Sequence, residues 1–498
     1  MEHVGVAPML FTTEEYAARL AAARVRMQEQ GLSALLVTDP ANIYYLTGYN
    51  AWSFYTPQLV FVPMEGDMIL FSREMDANGA FRTSWLPPEN IVGYPERYVH
   101  RPHLHPFDWV AYALRARYLI APAAKGCVGL EMDAHFFSPK GYRSLVNALP
   151  EWTLVDCFEL VNWVRAVKSP AEIQLMRQAA VFTNLAMQAA HDAIDVGTRQ
   201  CDIAAAISQA QLTGTAEAGG DYPAIVPMLP TGQSADTPHL TWSDEPLKPN
   251  EAMIVELAGA YHRYHVPMAR TFMPGKPSPQ LAHLARATDH ALAAVLEAVA
   301  PGTPVQELSQ VFNRTLFEYG YEKASRIGYS IGVGYPPDWG ERTISLRSEE
   351  LTVLQENMTF HLMCGMWMEG YGYEVSEAIR VTDTGVETFT AFPRGLVPAG
   401  EARLAPAESS TLLGNPGERA VSSGPGLAGL PQPLTEPRRP ATPRFGFTTP
   451  TEEPMTGPIG IVARNAERAD RDPAWPVAPE PEAEPEAENG DASPGQTP

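Results

Sequence analysis

Glu256 is the ionisable residue whose local sequence most clearly suggests chemistry. It stands in the run AMIVELAG, where the other side chains are apolar or small. A carboxylate in such surroundings could attack a substrate directly as a nucleophile or activate an attacking water as a general base. The alternative is a carboxylate that points into solvent from an edge strand. The residue type and its surroundings leave both roles open.

Two cationic residues are candidates to assist such a carboxylate. His239, in TPHLTW, could carry a proton to a leaving group, although a lone histidine is more often structural. Arg347, in GERTISLR, could bind a carboxylate of the substrate. It could equally form a weak surface pair with Glu349 or Glu350.

Three aromatic residues could contact a delocalised cation through their ring faces. Trp52 lies in a predicted loop after YLTGY, and Trp339 is predicted to lie in a loop over a pocket because PPDWG surrounds it. A surface aromatic is the alternative for Trp339. Tyr329, in GYSIG, could offer a hydroxyl to a reacting centre or simply fill space.

Composition limits the class of protein to which these residues belong. The chain has 498 residues, 45% of them hydrophobic, which is enough for two or three domains. Its 58 acidic and 36 basic residues give a net charge of −22, which argues against nucleic-acid binding. No apolar run of about 20 residues predicts a membrane span, and the N-terminal segment does not resemble a signal peptide. Four well-separated cysteines fit a reducing cytoplasm, so we expect a cytoplasmic enzyme.

The elements that position the candidates divide the chain into three parts. Residues 1–165 predict an α/β domain, with a helix over about 13–30 followed by the strand-like runs SALLVTD, QLVFVPM and GDMILFS. Residues 401–498 carry 18 of the 47 prolines and no lysine, which predicts a disordered tail rich in proline and glutamate.

Residues 166–400 predict a second, α+β domain. Ser169-Pro170-Ala171-Glu172 is a capping box that opens a long helix ending near Ile194. Two more helices are predicted over about 279–300 and 303–320. The strand-like runs between and after them are AMIVELAG, RYHVPMARTFMPG, MTFHLMCGMW and EAIRVTDTG.

The order of these segments resembles the pita-bread family of methionine aminopeptidase, prolidase and creatinase. The resemblance covers about residues 14–395 and is carried by LLVTDPANIYYLTGY, VKSPAEIQLMRQAA and TPHLTWSDEPLKPNEAMIVELAG. It implies a creatinase-like N-terminal α/β domain and a pita-bread catalytic domain.

The chain departs from that family at the metal ligands. Members hold two metal ions with two Asp, one His and two Glu, which here fall on Glu256, Pro267, Tyr329, Met363 and Ser376. Only Glu256 keeps a carboxylate, and proline and methionine cannot supply hard oxygen ligands. We therefore expect no metal and no other cofactor.

Creatinase is a metal-free member whose pattern is partly shared. The resemblance implies catalytic roles for His239 and for Glu377, which lies beside the position of creatinase's second histidine, and a carboxylate-binding role for Arg347. The glutamate that creatinase uses at the fourth ligand position is Met363 here, which argues against creatine as the substrate. Ser376 and Glu377 must face opposite sides of their strand, and the sequence does not show which one faces inward.

Ectoine hydrolases, another metal-free branch, resemble the chain more closely through GYNAWSFY, ELAGAYHRYHVPMARTF and IGVGYPPDWGERTISLR. This resemblance implies that a cyclic amidine is opened to N-acetyl-L-2,4-diaminobutyrate, with Glu256 attached to the substrate, and it leads us to favour the nucleophilic role. Such a zwitterionic substrate requires an anion near the amidinium and a cation near the carboxylate, for which we predict Glu256 and Arg347. Trp52, Tyr329 and Trp339 are predicted to supply the aromatic faces.

The resemblance also implies partners. The loop that carries Trp52 often reaches a neighbouring subunit in this family, which implies a homodimer, and a deacetylase acting on N-acetyl-diaminobutyrate is a candidate partner. Hydroxyectoine is an alternative substrate, since one hydroxyl decides between the two. A creatinase-like amidinohydrolase and an inactive pita-bread binding scaffold stay open as other functions, and a metal-dependent Xaa-Pro peptidase is remote.

Overall fold

The computed structural model describes residues 9–117 and 126–400. Its first part contains a six-stranded sheet. The strands are β1 (Ala34–Val37), β2 (Leu59–Pro63), β3 (Ile69–Arg73), β4 (Ile91–Tyr94), β5 (Gly126–Leu130) and β6 (Trp152–Asp156). Their spatial order is β4-β3-β2-β1-β5-β6. β2 runs antiparallel to both of its neighbours, and the other pairs are parallel.

Both faces of the central strands β1 and β2 are buried because helices cover them. Leu35 and Val37 of β1 pack into one apolar cluster, and Ala34 and Leu36 pack into another on the opposite face. The helices are α1 (Thr13–Glu29), α2 (Pro40–Thr47), α3 (Glu74–Thr83), α4 (Pro106–Arg117), α5 (Pro139–Ala148) and α6 (Glu159–Arg165). The predicted α/β character of this part is confirmed.

The second part contains an eight-stranded sheet and two helix pairs. The strands are β7 (Met253–Tyr261), β8 (Tyr264–Met273), β9 (Tyr329–Tyr335), β10 (Asp338–Ser345), β11 (Thr359–Met368), β12 (Tyr371–Val381), β13 (Val386–Thr388) and β14 (Leu396–Pro398). The helices are α7 (Pro170–Ala193), α8 (Gln200–Thr213), α9 (Pro279–Ala298) and α10 (Val305–Glu318). The strand order is β13-β12-β11-β9-β8-β14, with β10 paired to β9 and β7 paired to β8.

Each helix pair covers one half of this curved sheet. α7 and α8 share an apolar cluster with β7 and β8, and α9 and α10 share another with β11 and β12. α7 begins at the predicted capping box, in which the Ser169 hydroxyl accepts from the Glu172 N–H at 3.2 Å. The Glu172 carboxylate in turn accepts from the Ser169 N–H at 2.8 Å. The predicted pita-bread architecture is confirmed.

A buried ion pair joins the two parts of the fold. Lys168 Nζ, just before α7, lies 2.6 Å from Glu341 Oε2 on β10, and both side chains are almost completely buried. Arg165 at the end of α6 donates to the Asn42 side-chain oxygen at 2.7 Å, and Asn162 donates to the Glu341 carbonyl at 2.8 Å. The second sheet is therefore tied to helices of the first part by groups that water does not reach.

One local prediction is wrong. Trp339 lies in strand β10 of a β9–β10 hairpin rather than in a loop over a pocket, and its side chain is fully buried. The consecutive prolines Pro336 and Pro337 form only the hairpin turn. The strand pairing and the burial of a large indole decide the conformation beyond it.

Two predictions concern the limits of the described chain. The disordered tail predicted over 401–498 lies outside the described residues. The boundary predicted between 165 and 166 falls between α6 and α7. Across the described ranges, no helix is both long and apolar enough to cross a membrane.

Candidate active site

Glu256 lies in the middle of β7, a strand whose residues are almost all buried. Its backbone exchanges two hydrogen bonds with Met228, at 3.0 and 2.9 Å, and it stands opposite Ala269 of β8 in the ladder. The residue is 5% exposed. Among residues 9–117 and 126–400, no group donates a hydrogen bond to its carboxylate. The strand therefore holds a buried carboxylate that no described residue satisfies with a hydrogen bond.

His361 of β11 is the described imidazole or cationic group that lies nearest to that carboxylate. Its Nδ1 lies 3.9 Å from Glu256 Oε1 and 3.0 Å from the Tyr329 hydroxyl. Its Nε2 lies 2.6 Å from Ser376 Oγ. The imidazole is fully buried, so these contacts fix its orientation.

The two hydroxyls that flank His361 each accept a hydrogen bond from a second group. Ser376 Oγ accepts from the Ala269 N–H at 2.6 Å, and the Tyr329 hydroxyl accepts from the Trp339 indole N–H at 2.9 Å. Either hydroxyl can therefore donate its own proton to an imidazole nitrogen, but only one of the two can do so at a time. A neutral imidazole accepts at one nitrogen and donates at the other, so two proton arrangements exist, which differ in the tautomer of His361.

Burial is the main cause of the shifted pKa values in this cluster. It raises the pKa of Glu256 well above its usual range, and the nearby charges of Glu374 and Asp338 raise it further. Burial lowers the pKa of His361 to about 3, helped by the positive charges of Arg326 and Arg270. His361 is therefore neutral at pH 7, and Glu256 needs a neighbouring positive charge to ionise.

The residues at the family's ligand positions do not fit a pair of metal ions. Met363 stands opposite Ser376 in the β11–β12 ladder, and Pro267 stands opposite Ala258 in the β7–β8 ladder. Proline offers no donor, the thioether is soft, and the Ser376 and Tyr329 oxygens already contact His361. In the described residues, no group of three or more His, Cys, Asp or Glu side chains is arranged to hold a metal.

Glu377 lies on the opposite face of β12 from Ser376. Its carboxylate accepts from Arg270 Nη2 at 2.7 Å, from Arg394 Nε at 2.8 Å and from the Thr390 hydroxyl at 3.0 Å. These contacts saturate the group and hold it away from Glu256. The structure thus brings Ser376 into the cluster and gives Glu377 the contacts of a structural ion pair.

The structure places Tyr329 and Trp339 in the hydrogen-bonded cluster around His361 and leaves three other predicted residues outside it. Arg347 is exposed just after β10, near the charge of Glu349. His239 is exposed in the loop before β7, which a hydrogen bond from the Leu229 N–H to the Leu240 carbonyl keeps beside the segment paired with Glu256.

Trp52 is the third of these residues. Its side chain is 57% exposed, and its ring contacts Phe54 and Tyr222 at centroid distances of 4.9 and 4.7 Å. None of its ring contacts within the described chain is with Glu256, His361 or Tyr329. An aromatic side chain with this exposure is available to a partner molecule.

Two residues of the site were missed from the sequence. His361 shares the strand face of Met363, two residues away, so alternation along β11 could have identified it. Arg326 lies in the irregular segment before β9, and its guanidinium carbon is 4.4 Å from the centre of the Tyr329 ring. No pattern in the sequence identifies Arg326, because loop geometry alone places it there.

Comparison with known proteins gives the class. Residues 19–167 match the creatinase/prolidase N-terminal domain, and residues 174–386 match metallopeptidase family M24. Prolidase from Pyrococcus horikoshii superposes with a TM-score of 0.64 at 19% identity, covering 76% of this chain and 100% of that one. Prolidase from Thermococcus sibiricus gives 0.66 at 17% identity, covering 78% and 100%. These structures share the fold.

Sequence relatives narrow the class to a family. The chain is 42% identical to ectoine hydrolase of Halomonas elongata over 395 residues, covering 78% of this chain and 98% of that enzyme. It is 41% identical, with the same coverage, to an uncharacterized hydrolase/peptidase of Sinorhizobium fredii. The chain belongs to the creatinase/prolidase family with an M24 catalytic domain, in the same group as these two relatives. The resemblance noted in the sequence is confirmed.

Proposed function

We propose that this protein hydrolyses the cyclic amidine of ectoine to N-acetyl-L-2,4-diaminobutyrate without a metal ion. The observation that carries the proposal is the buried Glu256 carboxylate, which accepts no hydrogen bond from the described residues and faces neutral His361 where relatives of the same fold place metal ligands. The similarity to ectoine hydrolase of Halomonas elongata supports the choice of substrate.

The charges around Glu256 suit a zwitterion. An amidinium beside Glu256 would supply the positive charge that this carboxylate needs in order to ionise. In this proposal Arg326 replaces Arg347 as the group that binds the substrate carboxylate, because its guanidinium lies over Tyr329 while Arg347 is exposed. The Tyr329 ring between these charges offers an apolar wall for the substrate ring.

The proposed first step is nucleophilic. A Glu256 oxygen forms a bond to the amidinium carbon, which becomes tetrahedral and neutral. One ring C–N bond then breaks, its electron pair stays on the leaving nitrogen, and protonated His239 gives that nitrogen a proton. The product of this step is an amine joined through the opened chain to a protonated imidate ester of Glu256. His361 stays neutral in this step, with its Nδ1 3.9 Å from the carboxylate.

Water then completes the reaction. Its oxygen bonds to the imidate carbon and becomes the acetamide oxygen, and the bond between that carbon and Glu256 breaks. Two protons are released, one of which restores His239, and the acylated product leaves. No electron carrier is needed, because ring opening by water involves no net oxidation or reduction.

The partners belong to the same proposal. The exposed Trp52 would reach the site of a second copy in a homodimer. A deacetylase that consumes the N-acetylated product is the second proposed partner, and hydroxyectoine is the second proposed substrate. We also propose a cytoplasmic location, since the four cysteines are all free in the structure.

The test is proton NMR of ectoine incubated with purified protein in EDTA. We expect the methyl signal of the amidine to be replaced by an acetamide methyl signal, and the Glu256→Ala variant to give no change. Turnover only after zinc, manganese or iron is added would contradict the metal-free proposal. No turnover under any of these conditions, with binding retained, would favour an inactive scaffold, and turnover of creatine instead would favour a creatinase-like amidinohydrolase.

A further inference from the structure

A second buried carboxylate lies near Glu256 and has no role in the site as described so far. Glu374 of β12 is 1% exposed, and within the described residues neither of its carboxylate oxygens has a hydrogen-bond partner. It stands two residues before Ser376, so it projects from the same face of the strand. Its charge is near enough to raise the pKa of Glu256.

A buried donor without a partner lies beside this acceptor. Gly365 stands directly opposite Glu374 in the β11–β12 ladder. The indole of Trp367 lies over Gly365, since a Cβ at that glycine would come within 2.4 Å of the ring. The Trp367 indole N–H is buried and, in the part of the chain that the structure describes, unpaired. A carboxylate and an indole N–H therefore share one small buried region on the active-site face of the sheet.

Lys323 completes the electrostatics of this region. Its ammonium donates to the Gly365 carbonyl at 2.6 Å and lies 4.6 Å from the centre of the Trp367 ring. It cannot saturate Glu374, because no hydrogen bond joins the two. Burial raises the pKa of Glu374 to about 7, and the positive charge of Lys323 opposes that rise. The charge of Glu374 in turn raises the pKa of Glu256 and of the Cys364 thiol.

A buried hydrogen-bond donor and a buried acceptor that lack partners are usually bridged by another molecule. Water is the smallest molecule that can accept a hydrogen bond from an N–H and donate one to a carboxylate. We propose that Glu374 and the Trp367 N–H hold the hydrolytic water, and that Glu374 removes a proton from it as it attacks the imidate ester on Glu256. The water oxygen bonds to the imidate carbon, one proton goes to Glu374, the other returns to His239, and the bond to Glu256 breaks. This inference rests on the nucleophilic role proposed for Glu256.

The test separates formation of the adduct from its hydrolysis. In Glu374→Gln, we expect kcat for ectoine to fall about 10²–10⁴-fold. We also expect intact-protein mass spectrometry to show about one substrate per chain attached to the enzyme. Trp367→Phe keeps an aromatic ring beside Lys323 but removes the N–H. The adduct should therefore accumulate in this variant too, but to a smaller extent than in Glu374→Gln. The exposed Glu349→Gln variant is the matched control and should behave as wild type.

Chemical rescue tests whether the carboxylate itself is required. Formate added to Glu374→Ala should restore part of kcat and discharge the adduct, whereas formate should not restore Glu256→Ala. The inference is overturned if Glu374→Gln keeps the wild-type kcat, or if it loses turnover without adduct and without rescue. Wild-type protein that never opens ectoine would overturn the proposed function, and this inference with it. Because the Glu374 carboxylate makes no hydrogen bond to any described residue, its replacement by glutamine should leave the protein folded, which a thermal melt would verify.

Discussion

Glu256 and His361 face each other from β7 and β11, with Glu256 Oε1 3.9 Å from His361 Nδ1. This separation is longer than a hydrogen bond, so the carboxylate is near an imidazole without being satisfied by it. In the same site, the Ser376 and Tyr329 oxygens hold the imidazole in place. The pair therefore combines a fixed neutral ring with a carboxylate that is ready to bond elsewhere.

The first prediction concerns the reach of that carboxylate. Glu256→Asp withdraws the oxygens by one methylene, so a nucleophile positioned by β7 would no longer meet the amidinium carbon. We expect kcat to fall at least about 10²-fold, measured by NMR or by detection of the new amine group on the product. Activity of Glu256→Asp near that of wild type would contradict a tightly positioned nucleophile.

The second prediction concerns pH. Only ionised Glu256 attacks, and burial with Glu374 and Asp338 raises its pKa in the free enzyme. We therefore expect kcat/KM to increase with pH through that raised pKa and to be lost as the pH falls below it. Asp338→Asn removes one negative neighbour, so the acidic limb should move to lower pH. A limb that moves to higher pH, or does not move, would show that Asp338 does not act on the ionising group.

The third prediction distinguishes two arginines. Arg326→Gln removes the cation that lies over Tyr329, and we expect KM for ectoine to rise about 10–100-fold, as for loss of a charge-assisted hydrogen bond. The matched control is Arg347→Gln, which removes an exposed arginine and should leave KM unchanged. A KM effect confined to Arg347→Gln would reverse the assignment.

The fourth prediction concerns stability. Glu341→Gln leaves Lys168 charged and buried, where the two side chains are now 2.6 Å apart. Breaking such a pair from one side costs about 3–5 kcal/mol of unfolding free energy. Urea denaturation followed by fluorescence would measure the loss. Glu349→Gln, at the surface, should change the stability by no more than about 0.5 kcal/mol.

The fifth prediction tests His239 as the proton donor. His239→Ala should lower kcat and change the rate–pH profile, because the leaving nitrogen loses its proton donor. A rate–pH profile unchanged from wild type would exclude His239 from the mechanism. The Tyr329–His361 network would then be the next candidate.

The sequence alone determined those features that depend on residue identity or on short-range pattern. The capping box of Ser169 and Glu172 specifies where α7 begins, because the two reciprocal hydrogen bonds need only those residues at that spacing. The carboxylate at Glu256 and the loss of ligands at Pro267 and Met363 can likewise be read from residue identity. The domain order and the family followed from these segments.

The tertiary structure alone decided which side chains share the site. Ser376 and Glu377 are adjacent on one strand, and alternation requires that they face opposite sides without indicating which faces inward. The packing of β12 against β8 turned Ser376 toward His361 and Glu377 toward Arg270. Arg326 reached the site through an irregular segment, whose course depends on the hairpin and strands around it rather than on any local preference.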